Sequence, residues 1–102
     1  MAHFMPLTEK QRRHLKGLAH PLKPVVLMGN AGLTEAVVGE TQRALLDHEL
    51  IKVRLPGLDR EARDAALQAL AQRTESLLVT RIGHIAVLYK ANPKVPRIVL
   101  PG

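Results

Sequence analysis

The order of apolar patterns along the chain predicts an α/β fold. It is a small layered domain running helix, strand, helix, strand, helix, strand, strand, with a four-stranded mixed sheet. Three observations carry this expectation. Short runs rich in β-branched or aliphatic residues, at Val25 to Met28, Leu50 to Leu55 and Leu77 to Ile82, alternate with segments of helical period at Glu35 to His48 and Asp59 to Thr74. The last two runs, Leu77 to Ile82 and Ile85 to Lys90, are separated only by Gly83-His84, with glycine where a type II′ hairpin turn requires it. Strands separated by helices imply right-handed crossovers, which put the second and third helices on one face of the sheet if the strands are parallel.

Residues 1–7 read as a loose terminus, 8–90 as one domain and 91–102 as a tail that docks by Ile98-Val99-Leu100. From Thr8, which stands at capping-box spacing from Gln11, the pattern turns helical, with Leu15, Leu18, Ala19 and Leu22 on one face. Lys10, Arg13, Lys16 and His20 fall on the opposite face with Arg12 at its margin, and Pro21 ends the helix near His20. After Glu9 no acid interrupts this basic stripe, as it would in a self-neutralising surface helix. Pro24 and the run Val25 to Met28 predict a buried strand. Thr34 is the expected N-cap of the next helix, with Leu33 and Val38 as its hydrophobic staple. That helix turns Val37, Val38, Thr41, Ala44, Leu45 and His48 inward. The strand after it points Ile51, Val53 and Leu55 to a covered face and Leu50, Lys52 and Arg54 to a partly open, basic one. Asp59 caps the third helix, where Ala62, Ala65, Ala66, Ala69 and Leu70 offer close packing; Arg60 and Arg63 there could touch a ligand.

Between the first strand and the second helix lies Gly29-Asn30-Ala31-Gly32. Two glycines can take positive φ and carry no Cβ, so a bulky anion could approach the backbone closely beside the N–H groups of a helix start. The charge distribution points the same way. The chain carries 15 Lys and Arg against 9 Asp and Glu, a net charge of +6 and a pI near 10.3, which favours a polyanionic partner. Lys10, Arg12, Arg13, Lys16 and Lys23 against Glu9 leave +4 before residue 29, a gradient leading towards the loop.

Composition also narrows the function classes. The 102 residues, 46% of them hydrophobic, suit one folded domain. With no cysteine there is no disulfide, thiolate zinc site or cysteine nucleophile. The loop lacks the Lys-Ser or Lys-Thr of a P-loop and the extra glycine of a dinucleotide fingerprint, and the five histidines form no His-x-x-x-His pair. Neither catalysis, a cofactor nor a small-molecule substrate is expected. No apolar run approaches the roughly 18 to 20 residues that cross a bilayer, and Met1 to Leu7 is too short for a signal peptide, so the expected compartment is the cytoplasm. Phe4 and Tyr89 are the two aromatic residues, too few to stack a run of unpaired bases. Nucleic acid would therefore be gripped through phosphates and shape, as suits structured RNA.

From about Lys10 to Leu100 the chain resembles the bacterial YhbY-like proteins of the CRM RNA-binding domain family. The blocks that carry the resemblance are Leu15-Lys16-Gly17-Leu18-Ala19-His20-Pro21-Leu22-Lys23-Pro24-Val25-Val26, Gly29-Asn30-Ala31-Gly32-Leu33-Thr34-Glu35, His48-Glu49-Leu50-Ile51-Lys52-Val53 and Gly83-His84-Ile85-Ala86-Val87-Leu88-Tyr89. The resemblance implies a fold like the C-terminal domain of translation initiation factor 3. It also implies RNA, and in bacteria ribosomal RNA of a large-subunit precursor, bound through the Gly-x-x-Gly loop and adjacent basic surface. The expected contact residues are Lys10, Arg12, Arg13, Lys16, Lys23, Gly29, Asn30, Ala31, Gly32, Lys52, Arg54 and Arg60. Asn30-Ala31 puts no cation inside the loop, so its backbone N–H groups would act while the helix supplies charge. His84 places a largely uncharged side chain at the hairpin tip near neutral pH. The rival reading is a protein-interaction or anionic-membrane-surface module, for which the first helix would have to give up a Leu and Ala face that the core needs.

Overall fold

The computed structural model describes residues 7–57 and 59–102, so the expected loose terminus at 1–6 lies outside the described residues. The elements are α1 (Glu9–Ala19), β1 (Pro24–Leu27), α2 (Glu35–His48), β2 (Leu50–Arg54), α3 (Arg60–Thr74), β3 (Leu77–Ile82) and β4 (Ile85–Tyr89). The sheet order is β1-β2-β4-β3, with β1 parallel to β2 and β4 antiparallel to both neighbours. Hence β1, β2 and β3 all run the same way. The chain leaves all three at the same end of the sheet, where the loops after β1 and β2 and the β3–β4 turn begin.

Local chemistry sets the boundaries. Thr8 Oγ1 accepts the Gln11 N–H at 3.0 Å and Gln11 Oε1 accepts the Thr8 N–H at 3.1 Å, a complete capping box. Thr34 and Asp59 cap α2 and α3 through the N–H groups of Val37 and Ala62. At the hairpin, Gly83 has φ +59 while His84 does not enter the positive region, as a type II′ turn requires.

The sheet is covered on both faces, unequally. Helices α2 and α3 pack on one face around Val26, Val53, Leu45, Leu67, Leu70 and Leu88. Helix α1 lies across the other, where Leu15 and Ala19 meet Leu50, Val79, Val87 and Tyr89. Three expectations about packing need correction. On α3 the buried residues are Leu67, Leu70, Ala71 and Thr74, whereas Ala62 and Ala65 are exposed: turning the leucines to the sheet buries far more apolar area, worth about 1.5–3 kcal/mol for each side chain. Leu18 on α1 and Leu22 just after it remain exposed because the partly buried Leu7, Leu77, Ile98 and Leu100 complete that smaller core. His48 ends α2 exposed to solvent.

The tail is held from its middle. Glu49, fully buried with φ +63, turns α2 into β2, and its carboxylate faces the tail backbone. Its Oε2 accepts the Asn92 N–H at 2.6 Å, and Oε1 accepts those of Arg97 and Ile98 at 2.8 and 2.9 Å. The tail then runs back under α1, with Ile98 and Leu100 inward and Val99 84% exposed between them, and Pro101 O accepts the Gln11 side-chain amide at 3.1 Å. Docking thus uses alternate residues of an extended segment.

Candidate nucleic-acid interface

At the end of the sheet where β1 finishes, Gly29-Asn30-Ala31-Gly32 closes a tight turn in which Gly32 N–H donates to Gly29 O at 2.9 Å. Gly32 has φ +75, which favours glycine; Gly29 stays outside the positive region, and a Cβ at either position would meet nothing. The turn needs one glycine, and the other keeps the backbone bare. Gly29, Asn30 and Ala31 are exposed, and the N–H groups of Asn30 and Ala31 donate to no protein acceptor among the described residues. At the α2 start Thr34 already takes one N–H and Glu35 places a carboxylate beside the rest, turned towards Arg73 at 2.5 Å. The loop tip is therefore a better anion seat than the helix end.

The neighbouring rim is tied to this loop. Met28 N–H donates to Arg54 O at 2.8 Å, and Leu55 N–H donates to His84 O at 2.7 Å, so β1, β2 and the hairpin tip form one edge. His84 is exposed, its Nδ1 3.4 Å from Pro56 O. Arg60 stands exposed at the α3 start on the same end of the sheet, in the opposite layer from α1.

Of the twelve expected contact residues, three have intramolecular partners or positions that the sequence does not suggest. Arg12 turns inward: Nη1 donates to Leu78 O at 3.1 Å and to Val79 O, carbonyls beside the register shift in edge strand β3. Such a shift leaves backbone groups unpaired, and a long guanidinium can satisfy two at once. Lys52 Nζ donates to His20 O and Leu22 O at 3.2 and 2.9 Å, placing its charge against the C-terminal end of α1, where the helix dipole favours it. Lys23 precedes β1 while the glycine loop comes after it, so six residues of nearly extended chain put them about 20 Å apart. The charge gradient along the sequence does not become proximity, because β1 carries the chain away. Lys10, Arg13 and Lys16 are exposed on α1 with His20, as expected, and Arg54 is exposed on β2.

Another part of the site departs from sequence reasoning. The expected buried strand β1 buries only Val26 of its four residues; Val25 and Leu27 are 52% and 64% exposed. It is an edge strand: Val25 only lines an open apolar groove with Leu18 and Leu22, and Leu27 lies in neither core. Leu27 pairs with Arg54, Arg54 with Ile85, and Ile85 with Ile82, which is 69% exposed. These four therefore form a row across the uncovered end of the sheet, between the glycine loop and the hairpin. A groove of about 250 Å³ separates the row from α1, lined by Lys16, His20, Lys52, Thr80, Ile82 and Val87. The pairing of a strand after Pro24 with only one neighbour could have exposed this, but strand order is not written in local pattern.

Charge is segregated by layer. Lys10, Arg12, Arg13, Lys16, Lys23, Lys52 and Arg54 lie in or face the α1 layer with Glu9 as its acid. In the other layer Glu35, Glu40 and Asp47 on α2, and Asp59, Glu61, Asp64 and Glu75 on or capping α3, outnumber Arg43, Arg60, Arg63 and Arg73. Perturbed titration belongs to the distant end of the molecule. Burial pushes the Glu49 carboxyl up, but the N–H donors of Asn92, Arg97 and Ile98 and the Arg97 charge outweigh it and hold the pKa below the ordinary value. Burial, and then the Glu49 charge, raise the Tyr89 phenol. Among the described residues no three His, Cys, Asp or Glu side chains gather as metal ligands.

The CRS1 / YhbY (CRM) domain model matches residues 7–90. The chain is 47% identical over 95 residues to an RNA-binding protein of Haemophilus influenzae, covering 93% of this chain and 95% of that one. It is 36% identical to the Probable RNA-binding protein YqeI of Bacillus subtilis, covering 93% and 99%. The solution structure of the hypothetical protein SAV1595 from Staphylococcus aureus, described as an RNA-binding candidate, superposes with a TM-score of 0.80 at 33% identity, covering 93% of this chain and 99% of that one. That protein shares the three-helix, four-stranded α/β architecture. With a match that spans residues 7–90 and a relative 47% identical over 95 residues, the chain belongs to the CRS1 / YhbY (CRM) domain family.

Proposed function

We propose that this chain is an RNA-binding protein that holds structured RNA by its phosphates, on the α1 side of the sheet and at the glycine loop. In this reading it works in the cytoplasm as an assembly factor on precursors of the large ribosomal subunit. The observation that carries it is the segregation of charge. Seven cations in the α1 layer face one acid, a balance of +6, while the two helices behind the sheet and their caps carry seven acids against four arginines, a balance of −3, so a polyanion is drawn to one side and turned from the other. The names of the Haemophilus and Bacillus relatives support the RNA partner. Lys10, Arg13 and Lys16 each neutralise a phosphate; the bare amides of Asn30 and Ala31 meet another without a side chain in the way.

The chain does no chemistry on the RNA and takes no cofactor or small-molecule substrate. It holds or shields a folded segment and leaves before translation, and a grip made of phosphate contacts suits that, since competing proteins or rearranged RNA can displace it. Sedimentation of a gently prepared lysate, with the protein and precursor rRNA ends tracked through the gradient, tests this. Enrichment with the large-subunit precursor supports it; stoichiometric presence in translating ribosomes, or migration with messenger RNA alone, overturns it.

A further inference from the structure

The row Leu27, Arg54, Ile85, Ile82 lies outside both cores, with Leu27 and Ile82 more exposed than not. We infer that this row receives an unpaired base of the bound RNA, so that the ligand is a folded RNA with a loop or bulge instead of an uninterrupted duplex. This rests on the RNA-binding reading and names the part of the RNA that the site takes.

Three features of the surface select a nucleobase. The row is about 14 Å long, three strand spacings, and it starts two residues before Gly29 and ends at the hairpin, so it is continuous with the loop that meets phosphate. Its one polar member is an arginine set between two aliphatic neighbours, Leu27 and Ile85. A guanidinium there presents a flat face for stacking and a fork of donors for the edge of a base, which takes the place of the missing aromatic platform. The groove beside it carries Lys16, His20 and Lys52 and no acid, so the charge around the row suits a segment whose backbone is anionic. Duplex RNA offers no such partner, because its bases are stacked inward and an aliphatic row would face only ribose and water.

The experiment compares two synthetic RNAs of equal phosphate number, a perfect duplex and a hairpin with an unpaired loop, at matched salt. Wild type should prefer the hairpin, and Leu27→Ser with Ile82→Ser should weaken the hairpin roughly tenfold, with an unchanged salt slope and duplex affinity. Arg54→Lys keeps the charge and loses the plane, and should also reduce the preference for the hairpin. If the double variant and Arg54→Lys bind the hairpin like wild type while Gly29→Asp weakens it, the row is not a base site although RNA binding stands. If wild type binds neither RNA better than a neutral protein does, the RNA reading itself fails. A wild-type dimer that the double serine variant converts to monomer would make the row a contact between copies and overturn the inference.

Discussion

Replacing Glu49 by Gln keeps the shape of the side chain and removes its charge. The carboxylate is fully buried and accepts three backbone N–H groups, two on Oε1 and one on Oε2 at 2.6 Å. A glutamine oxygen can keep the pair from Arg97 and Ile98, but its NH₂ then points at the Asn92 N–H, donor against donor. One charge-assisted bond disappears, the other two fall to neutral strength, and a buried donor goes unmet, for a total of about 2–4 kcal/mol. For a domain of this size each kcal/mol lowers Tm by about 4–8 °C. The same carboxylate sets an acid limb. Its folded-state pKa lies below the ordinary 4.5, so its contribution is fully present above that value and is lost as the pH falls through the folded-state value. Urea unfolding from neutral pH to the acid limit, for wild type and Glu49→Gln, reads both effects. The variant should be less stable at neutral pH and lose less on acidification, so that the two curves converge. A variant within about 0.5 kcal/mol of wild type, the range of an ordinary surface substitution, or two parallel acid limbs, would refute the reasoning.

Gly29→Asp should fold with an unchanged midpoint, since φ is ordinary and a Cβ meets nothing, yet weaken RNA binding about tenfold or more; Gly32→Asp, at φ +75, should also lose about 1 kcal/mol of stability. Binding titrations beside thermal melts separate the two. Arg12→Ala should cost about 1–3 kcal/mol in denaturant unfolding by orphaning the Leu78 and Val79 carbonyls, whereas Arg13→Ala, one residue on and exposed, should stay within about 0.5 kcal/mol.

What was legible in the sequence was whatever chemistry is local. Thr8, Thr34 and Asp59 announce the helix starts because a cap is decided within three residues, and Gly83-His84 announces the hairpin because the turn geometry demands glycine there. Chain order and crossover handedness then supply the architecture. The site was legible as composition: a basic helix, a bare glycine turn, a basic strand. What local pattern could not reveal was which cations are free. Arg12 and Lys52 carry the same charge as Arg13 and Lys16, but a register shift in β3 and the open end of α1 claim them, and both are products of packing between segments distant in the chain. Lys23 lies away from the loop for a simpler reason: an extended strand separates the two although they are close in sequence. The exposed row escaped because Val25 to Met28 looks the same on an edge as in the middle of a sheet.

The central claim is that position, and not the net charge of +6, makes the grip. It is tested most directly by two double variants that each remove two exposed cations, Arg13→Ala with Lys16→Ala on α1, and Arg43→Ala with Lys94→Ala on α2 and the tail. RNA affinity is measured for both over a range of salt. The α1 pair should bind more weakly, with the log–log salt slope reduced by about 0.7 to 0.9 for each phosphate that is no longer neutralised, while the second pair keeps nearly the wild-type slope. Equal weakening in the two variants would contradict the account, because the attraction would then belong to the charge of the whole molecule and to no particular face.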